Sequence, residues 1–263
     1  MKLRRFLVSS LILNLMFFGL SGILIYRRGG YSYLMSKAPR SHADTKPAKY
    51  IDSPEYLGRK DTYAKLQHND VDLIFVGDSI TDFCDWDELL ERPVLNRGIA
   101  GDTVEGVRNR VGEILQHNPH QLFVMVGIND LFSGKSSDEV LTEYELLINR
   151  IRTSLPSSQV FLQSILPVTT AAWKRNSRSG SWLQLMDKIL QVNKALSGKA
   201  DGKQIIYVDL YSKMVAEANQ LDPRYTSDGV HLNGEGYIKW RDVILPLCEK
   251  RGRPKPREIV NIP

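Results

Sequence analysis

Five short apolar runs, separated by longer stretches with helical periodicity, set the pattern of this chain. Val71 to Val76 (VDLIFV) is almost wholly β-branched, aromatic or aliphatic and stops at Gly77-Asp78-Ser79, which is how a strand buried on both faces reads. Val94-Leu95-Asn96, Gln121 to Val126, Gln159 to Leu162 and Ile205 to Val208 repeat the motif. Between the runs the spacing predicts helices. A short one covers Asp85 to Leu90, with early acids that suit the positive end of a helix. A second is opened by Asp102 and Glu105 at capping-box spacing and runs to about Gln116, before Pro119. A third is opened by Ser136 and Glu139, with Leu141, Tyr144, Ile148 and Ile151 along one face. A fourth bears Trp182, Met186, Ile189 and Leu196, and a last one runs from Asn233 to Leu247. Strands alternating with helices make βαβ units, so the expected fold is α/β, a three-layer α/β/α sandwich on a mainly parallel five-stranded sheet. Thr169 to Ser181, polar and basic with Trp173, Lys174, Arg175 and Arg178, reads as a solvated loop or a lid.

The ends of the chain are different in kind. Phe6 to Tyr26 is uncharged throughout, and at about 1.5 Å per residue it spans roughly 31 Å, the thickness of a bilayer core. It reads as one N-terminal apolar helix serving as a membrane anchor, with basic residues on both sides. Gly19 and Ser21 are small residues at processing-site spacing, so a cleaved signal and a secreted product are the alternative, against which Gly22 to Tyr26 stays apolar. In either case the body is expected on the exported side. The organisation expected is an anchor or signal segment over 1–28, a linker over 29–60, a catalytic-type domain over 61–249 and a basic tail over 250–263. Residues 1–50 carry nine Lys/Arg and one acid and residues 250–263 five and one, which leaves 21 Lys/Arg against 28 acids between them. The folded body is therefore mildly acidic despite a formal charge of +5, and a nucleic-acid surface is not indicated. Cys84 and Cys248 are far apart and outside any metal-binding spacing, so they read as two buried thiols, with a disulfide as the alternative, and no metal or cofactor is expected.

Candidate chemistry gathers where the runs end. Ser79 lies just past the first strand, Gly98 to Gly101 past the second and Asn129 past the third, on the edge where open α/β sheets place ligands. Asp228 and His231 stand three residues apart before the last helix. Taken singly, each is an ordinary turn or cap residue. Together they supply a hydroxyl nucleophile, an imidazole to take its proton and a carboxylate to orient the imidazole. The N–H groups of Ser79 and Gly101 and the amide of Asn129 could receive an oxyanion.

These blocks, Gly77-Asp78-Ser79-Ile80-Thr81, Asn96-Arg97-Gly98-Ile99-Ala100-Gly101-Asp102-Thr103, Gly127-Ile128-Asn129-Asp130 and Asp228-Gly229-Val230-His231-Leu232, in that order, resemble those of the SGNH hydrolase superfamily, the GDSL esterases and lipases. Ile80 replaces the Leu of the family's first block. Gly-Ile-Ala-Gly-Asp-Thr and the Ile165-Leu166-Pro167 turn look most like the platelet-activating-factor acetylhydrolase-like branch. The resemblance implies a flavodoxin-like sheet and a serine esterase in which Ser79, Asp228 and His231 are catalytic and Ser79, Gly101 and Asn129 form the oxyanion hole. It implies a short-acyl ester of a sugar or lipid as substrate. Transfer of the acyl group to an envelope polysaccharide, or a catalytically idle binding module, are the alternatives.

Overall fold

The computed structural model describes residues 50–66, 71–177 and 180–248. The apolar segment at Phe6 to Tyr26 and the basic tail lie outside them. Among the described residues no helix is long and apolar enough to cross a membrane.

The sheet has five parallel strands, β1 (Leu73–Gly77), β2 (Leu95–Gly98), β3 (Gln121–Met125), β4 (Gln159–Gln163) and β5 (Ile205–Val208), in the order β2-β1-β3-β4-β5. β1 and β3 are buried at every position, as their largely apolar character requires, the polar Gln121 at the start of β3 included. Register aligns Phe75, Phe123 and Phe161, whose rings stack in a row at 4.7 and 4.3 Å between centroids, and Trp86 continues the row 3.9 Å from Phe75. Helices α4 (Val104–Leu115), α6 (Ser137–Ser154) and α8 (Trp182–Ser197) pack side by side on one face. On the other lie α3 (Trp86–Leu90) and α10 (Gly234–Ile244), joined by the edge-on contact of Trp86 with Trp240 at 4.8 Å. Cys84 and Cys248 are both buried thiols.

Several boundaries differ from those the pattern predicts, each for a local reason. A twelve-residue helix, α1 (Pro54–Lys65), starts within the expected linker, with Ser53 as its N-cap and Pro54 in the first turn, where a missing N–H costs nothing. The expected break at residues 60/61 falls inside α1. Asp102 does not cap α4: Thr103 does, its hydroxyl accepting the Gly106 N–H, while Asp102 is drawn into the interior. The predicted capping box at Ser136 and Glu139 forms on α6, and Ser181 with Gln184 makes another on α8. Two one-turn helices, α2 (Ser79–Asp82) and α5 (Ile128–Phe132), follow β1 and β3 directly, and the polar stretch expected as loop contains α7 (Thr170–Asn176). A further short helix, α9 (Tyr211–Met214), follows β5. The last helix ends at Ile244 and continues as a 3-10 turn over Leu245–Leu247.

Candidate active site

β1 ends at Gly77, where a Cβ would stand 2.1 Å from the Met125 carbonyl oxygen, so only glycine lets the strand end this close to β3. Asp78 then caps α2, its Oδ1 accepting the Ile80 N–H at 3.0 Å. The cap and the hydroxyl thus come from adjacent residues. Ser79 begins α2 and keeps 8% of its surface exposed. Burial pushes the Asp78 carboxyl up to about 7, against the Ile80 N–H that favours the anion.

His231 and Asp228 reach Ser79 from the loop before α10. His231 Nε2 stands 2.9 Å from Ser79 Oγ, and His231 Nδ1 stands 2.7 Å from Asp228 Oδ2. The loop is held from several sides. Asp228 Oδ1 accepts the N–H groups of Val230 and His231 at 2.9 and 2.8 Å, Gly229 takes a φ of +86°, and Thr226 Oγ1 donates to the His231 carbonyl at 2.6 Å. Thr169 N–H donates to the Gly229 carbonyl at 3.0 Å, and the Arg175 guanidinium to the carbonyl of Asp228. Partial burial raises the Asp228 carboxyl, but the His231 ring and the two N–H donors outweigh it and hold it down at about 2. An ionised carboxylate only accepts, so it fixes the proton on Nδ1 and leaves Nε2 as the acceptor facing the serine.

Gly101 lies on the loop after β2 and Asn129 in α5 after β3, and these two strands flank β1. Gly101 has a φ of +83°. Among the described residues no backbone or side-chain acceptor takes the N–H of Ser79 or of Gly101. Asn129 Nδ2 donates one hydrogen to the Asp102 carbonyl at 2.9 Å, which ties α5 to the Gly101 loop and leaves the other hydrogen of that amide. Beneath these loops lies a buried ionic network. Arg110, wholly inaccessible, donates to Asp102 Oδ2 at 2.8 Å, to the Arg97 carbonyl at 2.8 Å and to the Gly77 carbonyl at 3.3 Å. One guanidinium therefore joins the ends of β1 and β2 to the residue after Gly101. Burial lifts Asp102 to about 6 despite Arg110. Asp130, also fully buried, accepts the Val104 N–H at 3.0 Å and pairs with Lys135 at 2.7 Å.

Sequence patterning missed Arg110, Phe83 and the tyrosines of α1. Phe83 is 57% exposed, with its ring centroid 5.2 Å from that of His231. Its signal, a large aromatic four residues past the candidate nucleophile, is too weak to stand alone. Among the described residues no group of three or more His, Cys, Asp or Glu is arranged to hold a metal ion.

The fold and the four blocks define an ester-cleaving α/β hydrolase of the SGNH type. The chain belongs to the GDSL-like lipase/acylhydrolase family, whose family model matches residues 75–238. It is 27% identical over 235 residues to the platelet-activating factor acetylhydrolase IB subunit alpha2 of Gallus gallus, an alignment covering 82% of this chain and 97% of that protein. Among solved structures, a Streptococcus pneumonia protein described as a platelet activating factor superposes with a TM-score of 0.65 at 24% identity, over 73% of this chain and 92% of that one. A GDSL-like lipase from Bacteroides thetaiotaomicron gives 0.61 at 24% identity, over 73% and 96% respectively.

Proposed function

We propose that this hydrolase works through an acyl-enzyme on Ser79 and acts on a short-acyl ester of a sugar or lipid. The observation that carries the reading is the hydrogen-bonded relay from Ser79 Oγ through His231 to Asp228, at 2.9 and 2.7 Å. As Oγ bonds to the carbonyl carbon, His231 Nε2 takes its proton, and Asp228 stabilises the imidazolium without itself being protonated. The carbonyl oxygen of the ester becomes an oxyanion facing the N–H groups of Ser79 and Gly101 and the second amide hydrogen of Asn129. Collapse breaks the bond to the alcohol, which leaves with the proton from Nε2. Water then gives a proton to His231 and attacks the acyl-Ser79, releasing the acid and restoring the serine.

Two features bear on the substrate. The Gallus gallus relative is named as an acetylhydrolase, which supports a short acyl group. The leaving alcohol must sit against Nε2 of His231, hence beside the exposed Phe83 ring, a platform suited to the apolar face of a sugar. The uncharged run from Phe6 to Tyr26 supports attachment to a membrane, with the hydrolase on the exported side. Two measurements test the mechanism together. A fluorophosphonate should label Ser79 in the wild type and leave Ser79→Ala untouched. Asn129→Ala should keep the fold and lower turnover of p-nitrophenyl acetate by about 100- to 1000-fold. Labelling of Ser79→Ala, or full turnover by Asn129→Ala, would remove the residue concerned from the mechanism.

A further inference from the structure

We infer that α1 and the turn before it, which lie outside the family-matched residues, are part of the catalytic apparatus: Tyr50, Tyr56 and Tyr63 are positioning residues that set the Gly101 N–H. The inference rests on the oxyanion role proposed for Gly101. On α1 the positions 56, 59 and 63 recur at i, i+3 and i+7 and so share one face. That face lies on the loop running from the end of β2 into α4. Tyr63 Oη donates to the Gly98 carbonyl at 2.8 Å and Tyr56 Oη to the Gly106 carbonyl at 2.7 Å. Arg59 pairs with Asp82 at 2.6 Å, and the other oxygen of Asp82 accepts the Ala100 N–H at 3.2 Å. Tyr50, one turn upstream, donates to the Ala100 carbonyl, and its ring is so close that a Cβ on Gly101 would stand 2.7 Å from it.

The loop is therefore held at both polar groups of Ala100, and its flanks at Gly98 in β2 and Gly106 in α4, around a Gly101 whose own N–H has no internal acceptor among the described residues. The Ala100 carbonyl belongs to the same peptide unit as the Gly101 N–H. Fixing the plane of that peptide fixes the direction of the donor, because the six atoms of a trans peptide move together. This is the geometric demand of an oxyanion site, whose donors must be aimed before the charge develops. Tyr56 and Tyr63 are buried with Ile99 in a small apolar cluster of their own, so their rings pack while their hydroxyls perform the fixing.

Tyrosine to phenylalanine removes the hydroxyl and keeps the ring, which separates the two roles. In the full chain, Tyr50→Phe and Tyr63→Phe should each lower kcat for p-nitrophenyl acetate by about tenfold and leave KM within twofold, since a donor re-aimed by a fraction of an ångström loses part of its effect on the transition state alone. The Ki of an alkylboronic acid, which mimics the tetrahedral state, should rise by the same factor as kcat falls. The Tyr50→Phe/Tyr63→Phe double variant should exceed either single one. If kcat and the boronic acid Ki stay at wild-type values in both single variants, whatever their melting temperatures, the inference is overturned. Ser79→Ala, assayed in parallel, keeps this outcome apart from failure of the mechanism: activity in that variant would sink the acyl-enzyme itself, while its inactivity beside unaltered tyrosine variants would sink only the role of α1.

Discussion

Among the described residues no cation pairs with Asp78. Its Oδ1 caps α2, yet the residue is buried and its carboxyl is raised to about 7. In the unfolded chain the same group titrates at about 3.9. A raised carboxyl contributes its stability below the unfolded value and loses it as pH rises through the folded one, so the cost of ionising Asp78 grows between about pH 4 and 7. Asp78→Asn keeps a capping oxygen and does not titrate. Its melting temperature should therefore gain on the wild type as pH is raised across that window, and a constant difference between the two in thermal unfolding at pH 4, 5.5 and 7 would show that Asp78 is not the titrating group. Asp228 is the opposite case, held at about 2 by the donors around it, so it stays ionised and orients His231 throughout that window. That Ser79, His231 and Asp228 meet was legible in the chain because the three, ordinary singly, fall in order at strand ends and before the last helix. The burial of Asp78 was not legible, since nothing in Gly-Asp-Ser tells which side of the turn faces the interior.

At the scale of elements, the strands were legible for a physical reason: a parallel strand covered on both faces is nearly all apolar, and β1 and β3 follow this, with Gln121 at the start of β3 as the polar exception. Helix starts were legible where the cap is local, as at Ser136, and misread where the competing partner is distant. Asp102 has capping-box spacing to Glu105, but the Arg110 guanidinium about two turns further along claims its carboxylate, and Thr103 takes over the cap. α1 was hidden because its pattern is tyrosine and arginine on one face rather than aliphatic residues, which a polar linker composition masks. The Arg110 network gives a sharp expectation. Arg110→Met leaves Asp102 buried without its partner and frees the Gly77 and Arg97 carbonyls, a change that costs on the order of 3–5 kcal/mol. Urea unfolding should show that loss, with Arg110→Lys, which keeps a charge but not the fork, falling between it and the wild type.

For the whole molecule, the mildly acidic body and the basic, partly apolar ends fit the membrane attachment proposed above. The expression product should sediment with membranes, resist an alkaline carbonate wash and dissolve in detergent; a shortened soluble product beginning after Ser21 would instead favour signal cleavage. The proposed nucleophile and oxyanion donors come from three neighbouring strands, whereas the acid and base follow β5 at the far side of the sheet order. Both of the latter ride on a single six-residue turn, closed by Thr226 and braced by Thr169 and Arg175. The consequence is a modular failure mode. Any tilt of that turn carries imidazole and carboxylate together as one cartridge, so their mutual alignment survives and only the gap to the serine opens, a fault that small primary alcohols or hydroxylamine, acting as surrogate nucleophiles, could not repair because the injury precedes acylation.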